Sequence, residues 1–555
     1  MKIFRITREE KIKKKSIGLR GTILDSLKDQ LSGGLYKNDQ IIIKFHGLYQ
    51  QDNRDIREER SKKKLDRLYS FMIRLRIPGG GINHKQWMSI HNISKNSTGV
   101  IKITSRQTIQ LHGLIKSKIK PTIQHFNLYQ LDSIATCGDV NRNVVCSTYI
   151  NNKYSYHDIF SYATKISNMF LPKTKAYYEI WLEQKKIYEK KEEKDPLYHE
   201  TYLPRKFKIA ISVPPNNDVD VFANDVGLIA IFDKNMLKGF NISVGGGLST
   251  THGNSKTYSR LGTIIGFYDA DENKIFKIVY GILTIQRDYG NRSDRKLARL
   301  KYTIDHYGIN WFKKELENRI GFSLKKEKPF LFTERRDYFG WIQDNKQLWN
   351  YTFFVENGLI FDKKDLKLKS ALLQIAKREI CDFLFTCNQN ITLTHISEKN
   401  KNQIESILLE YGIDDYMRTI SSVRRNSMAC VALNTCPLAM AEGQRYLPSL
   451  ISKIEIILKK YKLKKEDIII RMTGCPNGCS RPYLAEIGFI GVSYGKYNLY
   501  LGANYEGTRL NKLYKKNMDE SSILKELDVI FNCFQSEKFV GERFGDFSIR
   551  KKWVI

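Results

Sequence analysis

Alternating polar and apolar residues predict strands that each have one polar face. From Lys102 to His112 every second side chain is polar, and Ile101, Ile103, Ile109 and Leu111 alternate with these polar residues, a two-residue period that predicts a β-strand. Its polar face consists of Lys102, Thr104, Arg106, Thr108, Gln110 and His112.

Two further segments show the same alternation with cationic side chains on one face. Arg74 and Arg76 alternate with apolar residues just before the glycine-rich turn at 78–81, and Lys206 and Lys208 flank Phe207. Each segment alone is also explained by a strand that exposes one face to solvent. Three cationic faces together also suit an anion, which binds best where several Arg and Lys side chains converge.

Four short stretches recur later in the chain in the same order, which indicates an internal duplication. The related pairs are 104–112 with 386–394, 140–143 with 423–426, 225–230 with 486–491, and 240–245 with 497–502. We expect an α+β protein made of a duplicated two-module unit with pseudo-twofold symmetry. Such an arrangement leaves a cleft between the copies that could hold a large cofactor.

The composition indicates a folded protein of several domains. The chain has 555 residues, of which 41% are hydrophobic and 12% aromatic, so it can form large cores and is not expected to be disordered. No apolar run is long enough to suggest a membrane span, and the basic N-terminus has no apolar stretch typical of a signal peptide. These features predict a cytoplasmic protein.

The formal net charge of +33 indicates an anionic partner or compositional drift. The partner could be nucleic acid, an acidic protein, an anionic substrate or a polycarboxylate cofactor. The abundance of Lys, Ile, Asn and Tyr also fits a coding sequence rich in A and T, so the charge alone does not decide.

Four of the nine cysteines form two close pairs, whereas Cys137, Cys146, Cys381, Cys387 and Cys533 are scattered. Cys430 and Cys436 have five residues between them, and Cys475 and Cys479 lie within the glycine- and proline-rich segment 473–479. Four thiolates suit an iron–sulfur cluster or zinc, and buried thiols without a metal are a third interpretation. The five-residue spacing favours a cluster, because zinc pairs usually have shorter spacings.

Several long motifs resemble the nitrite and sulfite reductases that contain sirohaem. The segment from Cys430 to Cys436, continued by Pro-Leu-Ala-Met-Ala, and the segment RMTGCPNGC at 471–479 are similar to the cysteine signature of this family. Within the family, the haemoprotein (beta) subunits of NADPH-dependent assimilatory sulfite reductases are most similar. This narrower resemblance rests on FHGLYQQDNRDIR at 45–57, YLPRKFK at 202–208, GGGLS at 245–249 and GDF at 545–547.

The resemblance implies two cofactors and assigns their ligands. Cys430, Cys436, Cys475 and Cys479 would hold a [4Fe–4S] cluster, and Cys479 would also ligate the iron of sirohaem. Further contacts to the sirohaem would come from Lys102, Arg106, Gln110 and His112. The catalytic residues around sulfite would be Arg74, Arg142, Lys206 and Lys208. The implied reaction is the six-electron reduction of sulfite to sulfide, as used in cysteine biosynthesis.

The resemblance also implies a division of the chain into ferredoxin-like half-domains and larger α/β modules. We expect an N-terminal arm at 1–66, a first half-domain at 67–136 and a sirohaem and substrate module without the cluster at 137–344. The second copy would comprise a half-domain at 345–418 and the module that binds the cluster and sirohaem at 419–555.

The electron donor is expected to be a separate protein. No G-x-G-x-x-G motif lies between a predicted strand and helix, so nothing indicates a nicotinamide site. We expect the flavoprotein (alpha) subunit of NADPH-sulfite reductase as donor, or a ferredoxin in the alternative that the chain is a ferredoxin-dependent sulfite or nitrite reductase. A basic nucleic-acid-binding protein and a zinc-stabilised structural protein are more distant alternatives.

Two positions depart from the family pattern. Lys102 stands where the family has Arg, and Ser480 follows the last cysteine where a smaller residue is usual. A lysine keeps the charge but lacks the planar fork that binds a carboxylate through two hydrogen bonds. We expect activity in spite of both changes.

Overall fold

The computed structural model describes residues 6–148, 156–173, 179–182, 185–189 and 194–554. Its strands are β1 (Leu48–Asp52), β2 (Tyr69–Arg74), β3 (Gly81–Ile82), β4 (Ile101–Ile103), β5 (Ile109–Leu114), β6 (Val145–Cys146), β7 (Glu179–Leu182), β8 (Lys185–Glu189), β9 (Ile209–Ser212), β10 (Val226–Asp233), β11 (Met236–Val244), β12 (Thr263–Asp269), β13 (Gly340–Gln343), β14 (Trp349–Phe353), β15 (Leu359–Ile360), β16 (Asp382–Phe385), β17 (Ile391–Ile396), β18 (Ser427–Ala429), β19 (Ile470–Thr473), β20 (Ile487–Ser493), β21 (Lys496–Leu501) and β22 (Lys512–Met518).

Helices connect and cover these strands. The α-helices are α1 (Arg8–Lys15), α2 (Ile23–Lys28), α3 (Asp39–Ile42), α4 (Arg57–Lys62), α5 (His84–Ile93), α6 (Ile119–Leu128), α7 (Tyr156–Met169), α8 (Glu272–Tyr289), α9 (Leu300–Tyr307), α10 (Ile309–Ile320), α11 (Leu368–Arg378), α12 (Glu398–Glu410), α13 (Ile413–Thr419), α14 (Ser422–Arg425), α15 (Leu447–Lys460), α16 (Glu520–Glu537) and α17 (Phe544–Arg550). No helix among the described residues is long and apolar enough to cross a membrane.

Two five-stranded sheets are built alike and exchange one strand with each other. The first has the order β1-β2-β5-β4-β15 and the second has the order β13-β14-β17-β16-β3. Strand β15 follows β14 in the chain but pairs with β4 of the first sheet, while β3 follows β2 but pairs with β16 of the second. This reciprocal exchange joins the two copies through backbone hydrogen bonds.

The other two large sheets repeat one topology in full. Their orders are β6-β9-β10-β11-β12 and β18-β19-β20-β21-β22. In each sheet the first three strands are parallel to one another. The fourth strand is antiparallel to the third, and the fifth is antiparallel to the fourth. The recurring stretches of the sequence lie on corresponding elements of the two copies. The expected α+β fold with a duplicated two-module unit is therefore confirmed, whereas the individual domain boundaries remain a prediction.

The segment between positions 102 and 112 is a hairpin, so the prediction of one continuous strand was wrong. Strands β4 and β5 pair antiparallel, and the Thr104 N–H donates to the Thr108 carbonyl oxygen at 2.8 Å across the turn. Gln107 adopts a φ of 53° within this turn. Lys102 and Gln110 consequently lie opposite each other on neighbouring strands, because the chain reverses between them.

The largest hydrophobic core spans both copies. It combines aliphatic and aromatic side chains of the two strand-exchanged sheets with those of α5 and α11. Trp87 of α5 stacks on Phe383 of β16, with their ring centroids 5.0 Å apart. Because neither sheet has a complete core alone, this packing fixes the two copies relative to each other and thus the cleft between them.

Candidate cofactor and anion site

Neighbouring parallel strands bring the two cysteine pairs together. Cys430 directly follows β18 and Cys475 follows β19 after one residue, so both lie beyond the carboxyl ends of adjacent parallel strands, where ligand sites commonly form. The Cys430 N–H donates to the Met472 carbonyl oxygen at 3.2 Å. The Gly474 N–H and the Thr473 hydroxyl each lie 3.4 Å from the Cys430 sulfur.

The four thiols share one electrostatic environment. Burial, together with the neighbouring Cys430 and Cys479, raises the pKa of Cys436 to about 12. Burial likewise raises the pKa of Cys475 to about 12, with contributions from the other three thiols of the set. The neighbouring sulfurs therefore oppose ionisation of Cys436 and Cys475, and a cationic metal centre between the four thiols would remove this penalty.

The cysteine loop is packed closely against its surroundings. A Cβ atom at Gly474 would lie 2.5 Å from the Ala441 carbonyl oxygen, so only glycine fits where the two cysteine segments meet. Among the described residues, no three His, Cys, Asp or Glu side chains are arranged to hold a single metal ion. The donor set fits a [4Fe–4S] cluster, in which each thiolate binds a different iron atom.

Cys479 opens onto a pocket lined by three of the predicted basic residues. The lining includes Arg106, Lys206 and Lys208 together with Arg299. Arg106 comes from the β4–β5 turn and the two lysines precede β9. The exposed thiol of Cys479 thus lies at the border between the cysteine cluster and a cationic pocket.

The cations that line this pocket are buried or half-buried, and among the described residues they outnumber the carboxylates that pair with them. Burial, reinforced by Arg299, Arg205 and Arg142, lowers the pKa of Lys206 to about 7. Burial, Lys206 and Arg106 also lower the pKa of Lys208. Arg299 pairs with Asp225 at 2.8 Å, but this one carboxylate does not neutralise the group. Crowded buried cations favour the binding of an anionic ligand that restores their charge.

Three more predicted residues, Arg74, Gln110 and His112, lie on the first strand-exchanged sheet, and Arg142 reaches the same place from the segment before β6. Arg74 and Arg142 both donate to the Thr136 carbonyl oxygen, at 3.3 and 2.9 Å. The His112 ring contacts Gln51 and Gln110 at 3.0 and 3.2 Å. Arg142 also acts electrostatically on Lys206 of the pocket, so the two groups of residues lie near each other.

Lys102 lies deep between the copies and close to the cysteines. Its ammonium donates to the Asn357 carbonyl oxygen, and only 3% of the residue is exposed. Burial lowers the pKa of Lys102 to about 7, and Cys430 partly offsets this effect. The structure thus places Lys102 beside the predicted cluster.

Two residues near the site were missed by the sequence reasoning. Arg54 donates to the carbonyl oxygens of Cys436 and Ala439 at 3.1 and 2.6 Å, and so holds the cysteine loop from the N-terminal segment. In the sequence, only the position of Arg54 within the motif at 45–57 indicated that it could belong to the site. Arg299 of the pocket lies in no motif that sequence analysis singled out.

This fold and site define a class of redox proteins in which an iron–sulfur cluster adjoins a large anionic cofactor. Family models agree. Residues 63–128 match the nitrite/sulfite reductase ferredoxin-like half domain, and residues 161–324 match the nitrite and sulphite reductase 4Fe-4S domain. The second match falls on the copy that lacks the paired cysteines, as expected if the two copies derive from one ancestral module.

Full-length relatives narrow the class to one family. A Leptospira biflexa protein named sulfite reductase [NADPH] hemoprotein beta-component is 57% identical, covering 98% of this chain and 97% of the relative. A Staphylococcus haemolyticus protein of the same name is 48% identical, covering 98% and 94%. The chain belongs to the nitrite and sulfite reductase family, among the hemoprotein beta-components.

A solved structure shows the same fold. The Mycobacterium tuberculosis NirA protein superposes with a TM-score of 0.80 at 22% identity, covering 99% of this chain and 97% of that one. At this identity the similarity supports the duplicated architecture alone. It agrees with the two matched pairs of sheets described above.

Proposed function

We propose that the chain is the hemoprotein component of an NADPH-dependent sulfite reductase and reduces sulfite to sulfide. The observation that carries this proposal is the pocket in which Cys479 lies beside the half-buried cations Arg106, Lys206 and Lys208. The names of relatives at 48–57% identity support the same activity. No comparable support exists for a zinc protein or a nucleic-acid-binding protein.

The residues of the site suit both expected cofactors. Cys430, Cys436, Cys475 and Cys479 would hold the [4Fe–4S] cluster, with Cys479 shared with the sirohaem iron. When bound, sirohaem would supply the iron at which sulfite is reduced. Its carboxylates would meet the cationic side chains described above, with Lys102, Arg106, Gln110 and His112 as the proposed contacts.

Four basic residues are proposed to act on the substrate. Arg74 and Arg142 offer guanidinium groups whose partners among the described residues are neutral: backbone carbonyl oxygens, the Cys137 thiol, the Tyr49 phenol and the Gln110 amide. Lys206 and Lys208 have lowered pKa values, so each can hold a proton near an anion and release it readily. These residues would bind sulfite and supply protons as its oxygens leave as water.

The electron donor is proposed to be a flavoprotein subunit that oxidises NADPH. The chain's excess of positive charge would accelerate association with an acidic donor surface. A ferredoxin as donor is not favoured, because the relatives at 48–57% identity are named for NADPH. We also propose a cytoplasmic location, where reducing conditions keep cysteine thiols available for a cluster.

Anaerobic turnover tests the proposed function. The cofactor-loaded protein is supplied with sulfite and either an NADPH-reduced flavoprotein subunit or a reduced ferredoxin, and sulfide is measured. We expect sulfide from sulfite with the flavoprotein as donor. Turnover that requires ferredoxin, or that reduces nitrite in clear preference to sulfite, would overturn the assignment.

A further inference from the structure

Helix α1 inserts a buried lysine between the segments that carry the basic residues of the site. The side chain of Lys13 is fully buried. Its ammonium donates to the Leu203 carbonyl oxygen at 2.8 Å and lies 3.4 Å from the Asp139 carboxylate. Glu10, one turn earlier on α1, accepts a further hydrogen bond from Lys13.

Lys13 thereby contacts two backbone segments at once. Asp139 belongs to the segment that leads to Arg142, and Leu203 to the segment that leads to Lys206 and Lys208. Neither segment is a regular strand at these positions, so side chains have to contribute to fixing them. A buried ammonium needs several acceptors, and here those acceptors lie on both segments.

Backbone hydrogen bonds carry this contact towards the site. The Leu203 N–H donates to the Asp139 carbonyl oxygen at 3.0 Å, and the Phe207 N–H donates to the Val140 carbonyl oxygen at 3.0 Å. The Arg142 N–H then donates to the Phe207 carbonyl oxygen at 2.8 Å. The two segments form a short ladder whose far end, away from Lys13, holds the site residues.

Further ion pairs surround Lys13 and its two carboxylate partners. Arg295 binds both oxygens of Asp139, at 2.7 and 2.8 Å. Burial alone would raise the pKa of Asp139, but Lys13 and Arg295 outweigh it and hold that pKa below its usual value. Arg292 bridges Glu10 to the Tyr202 carbonyl oxygen. Each charge has an opposite partner, as a rigid buried network requires.

We propose that Lys13 is a positioning residue for the anion site, acting from α1 through the segments that carry Arg142, Lys206 and Lys208. The inference rests on the proposed function of that site. A neutral side chain at position 13 would leave Glu10, Asp139 and the Leu203 carbonyl without their shared donor. The two segments would then lose their fixed separation, and the cations at the far end would lose their alignment.

The test compares Lys13→Met with Lys11→Met, a matched change on the exposed face of the same helix. Both are prepared as cofactor-loaded protein, and sulfite affinity is measured by titrating the visible haem absorption. We expect the Lys13→Met dissociation constant to rise about 10-fold or more, because small misplacements of binding groups have effects of this order. Lys11→Met should match the unaltered protein.

A double-mutant cycle separates positioning from general destabilisation. Lys13→Met should cost less in the Arg142→Met background than in the unaltered protein, since it acts partly through that segment. Fully additive losses, or unchanged sulfite affinity in loaded Lys13→Met, would overturn the inference. If Lys13→Met does not fold, Asp139→Asn replaces it with the same expected result. Failure of the unaltered protein to reduce sulfite would instead count against the proposed function.

Discussion

Arg74 and Arg142 donate to the same backbone oxygen, that of Thr136, from different parts of the chain. Arg74 is the last residue of β2, while Arg142 lies in the segment before β6 and also donates to the Gly138 carbonyl oxygen. A carbonyl oxygen carries only partial negative charge, so it orients the two guanidinium groups without neutralising them. The pair is thus preorganised for an anion.

Replacing Arg142 should weaken sulfite binding. Arg142→Met removes a charge-assisted donor worth about 1.5–3 kcal/mol, so kcat/KM for sulfite should fall roughly 10- to 100-fold. Steady-state turnover with reduced methyl viologen measures this ratio. Arg67→Met, an exposed change outside the site, serves as the control. Equal losses in both variants would mean that Arg142 has no special role.

The four paired cysteines should differ sharply from the others in metal content. Cys436→Ser removes a predicted cluster ligand, so we expect loss of most of the iron and acid-labile sulfide. Cys533→Ser, in helix α16, changes a thiol whose contact is Glu537 at 3.1 Å and should retain the full content. Retention of the cluster in Cys436→Ser would contradict the proposed ligand set.

Much of this architecture follows from local patterns in the sequence. The recurring stretches indicate the duplication because they lie on corresponding elements of the two copies. The exchange of strands β3 and β15 could not be predicted from the sequence. Each of these strands is only two residues long, and the strand with which it pairs is distant in the chain. The hairpin between β4 and β5 was also missed, because a period of two continues across its turn.

Only part of the site can be predicted from the sequence. Spacing singles out Cys430, Cys436, Cys475 and Cys479 as one set, whereas their roles rest on family resemblance. The contact of Arg54 with the cysteine loop joins residues 385 positions apart, and that of Lys13 with Leu203 joins residues 190 positions apart. Such contacts depend on how segments distant in the chain pack together, which no local pattern encodes.

Arg54 should stabilise the cluster by holding its loop. Its hydrogen bonds to the Cys436 and Ala439 carbonyl oxygens are lost in Arg54→Met, and supporting contacts of this kind typically contribute about 10- to 100-fold to metal affinity. We expect faster bleaching of the cluster absorption in air. Lys63→Met, an exposed change in the same N-terminal segment, should bleach at the unaltered rate, and identical rates in both variants would refute this role.

Acid should destabilise the cofactor-free protein partly through His112. Burial, with help from Lys102 and Arg74, lowers the pKa of His112 to about 3, against about 6.5 in an unfolded chain. The unfolded state therefore binds more protons between these values. The stability that neutral His112 contributes is complete above pH 6.5 and falls as the pH falls towards 3.

Urea unfolding at pH 6.5 and pH 4.5 measures this effect. His112→Gln should lose less stability between the two values than the unaltered protein, because it has no group to protonate. His252→Gln, at an exposed position, should behave like the unaltered protein. The same pH dependence in all three proteins would show that His112 is not held neutral by the fold.

The visible absorption spectrum of the purified, cofactor-loaded protein during a sulfite titration shows whether sulfite binds at a haem in the pocket beside Cys479. We predict haem bands that shift with sulfite, and a much weaker shift after Lys206→Met and Lys208→Met, whose side chains line this pocket. If protein produced in cells that synthesise sirohaem has no haem absorption, or if its haem bands do not respond to sulfite, this prediction is wrong.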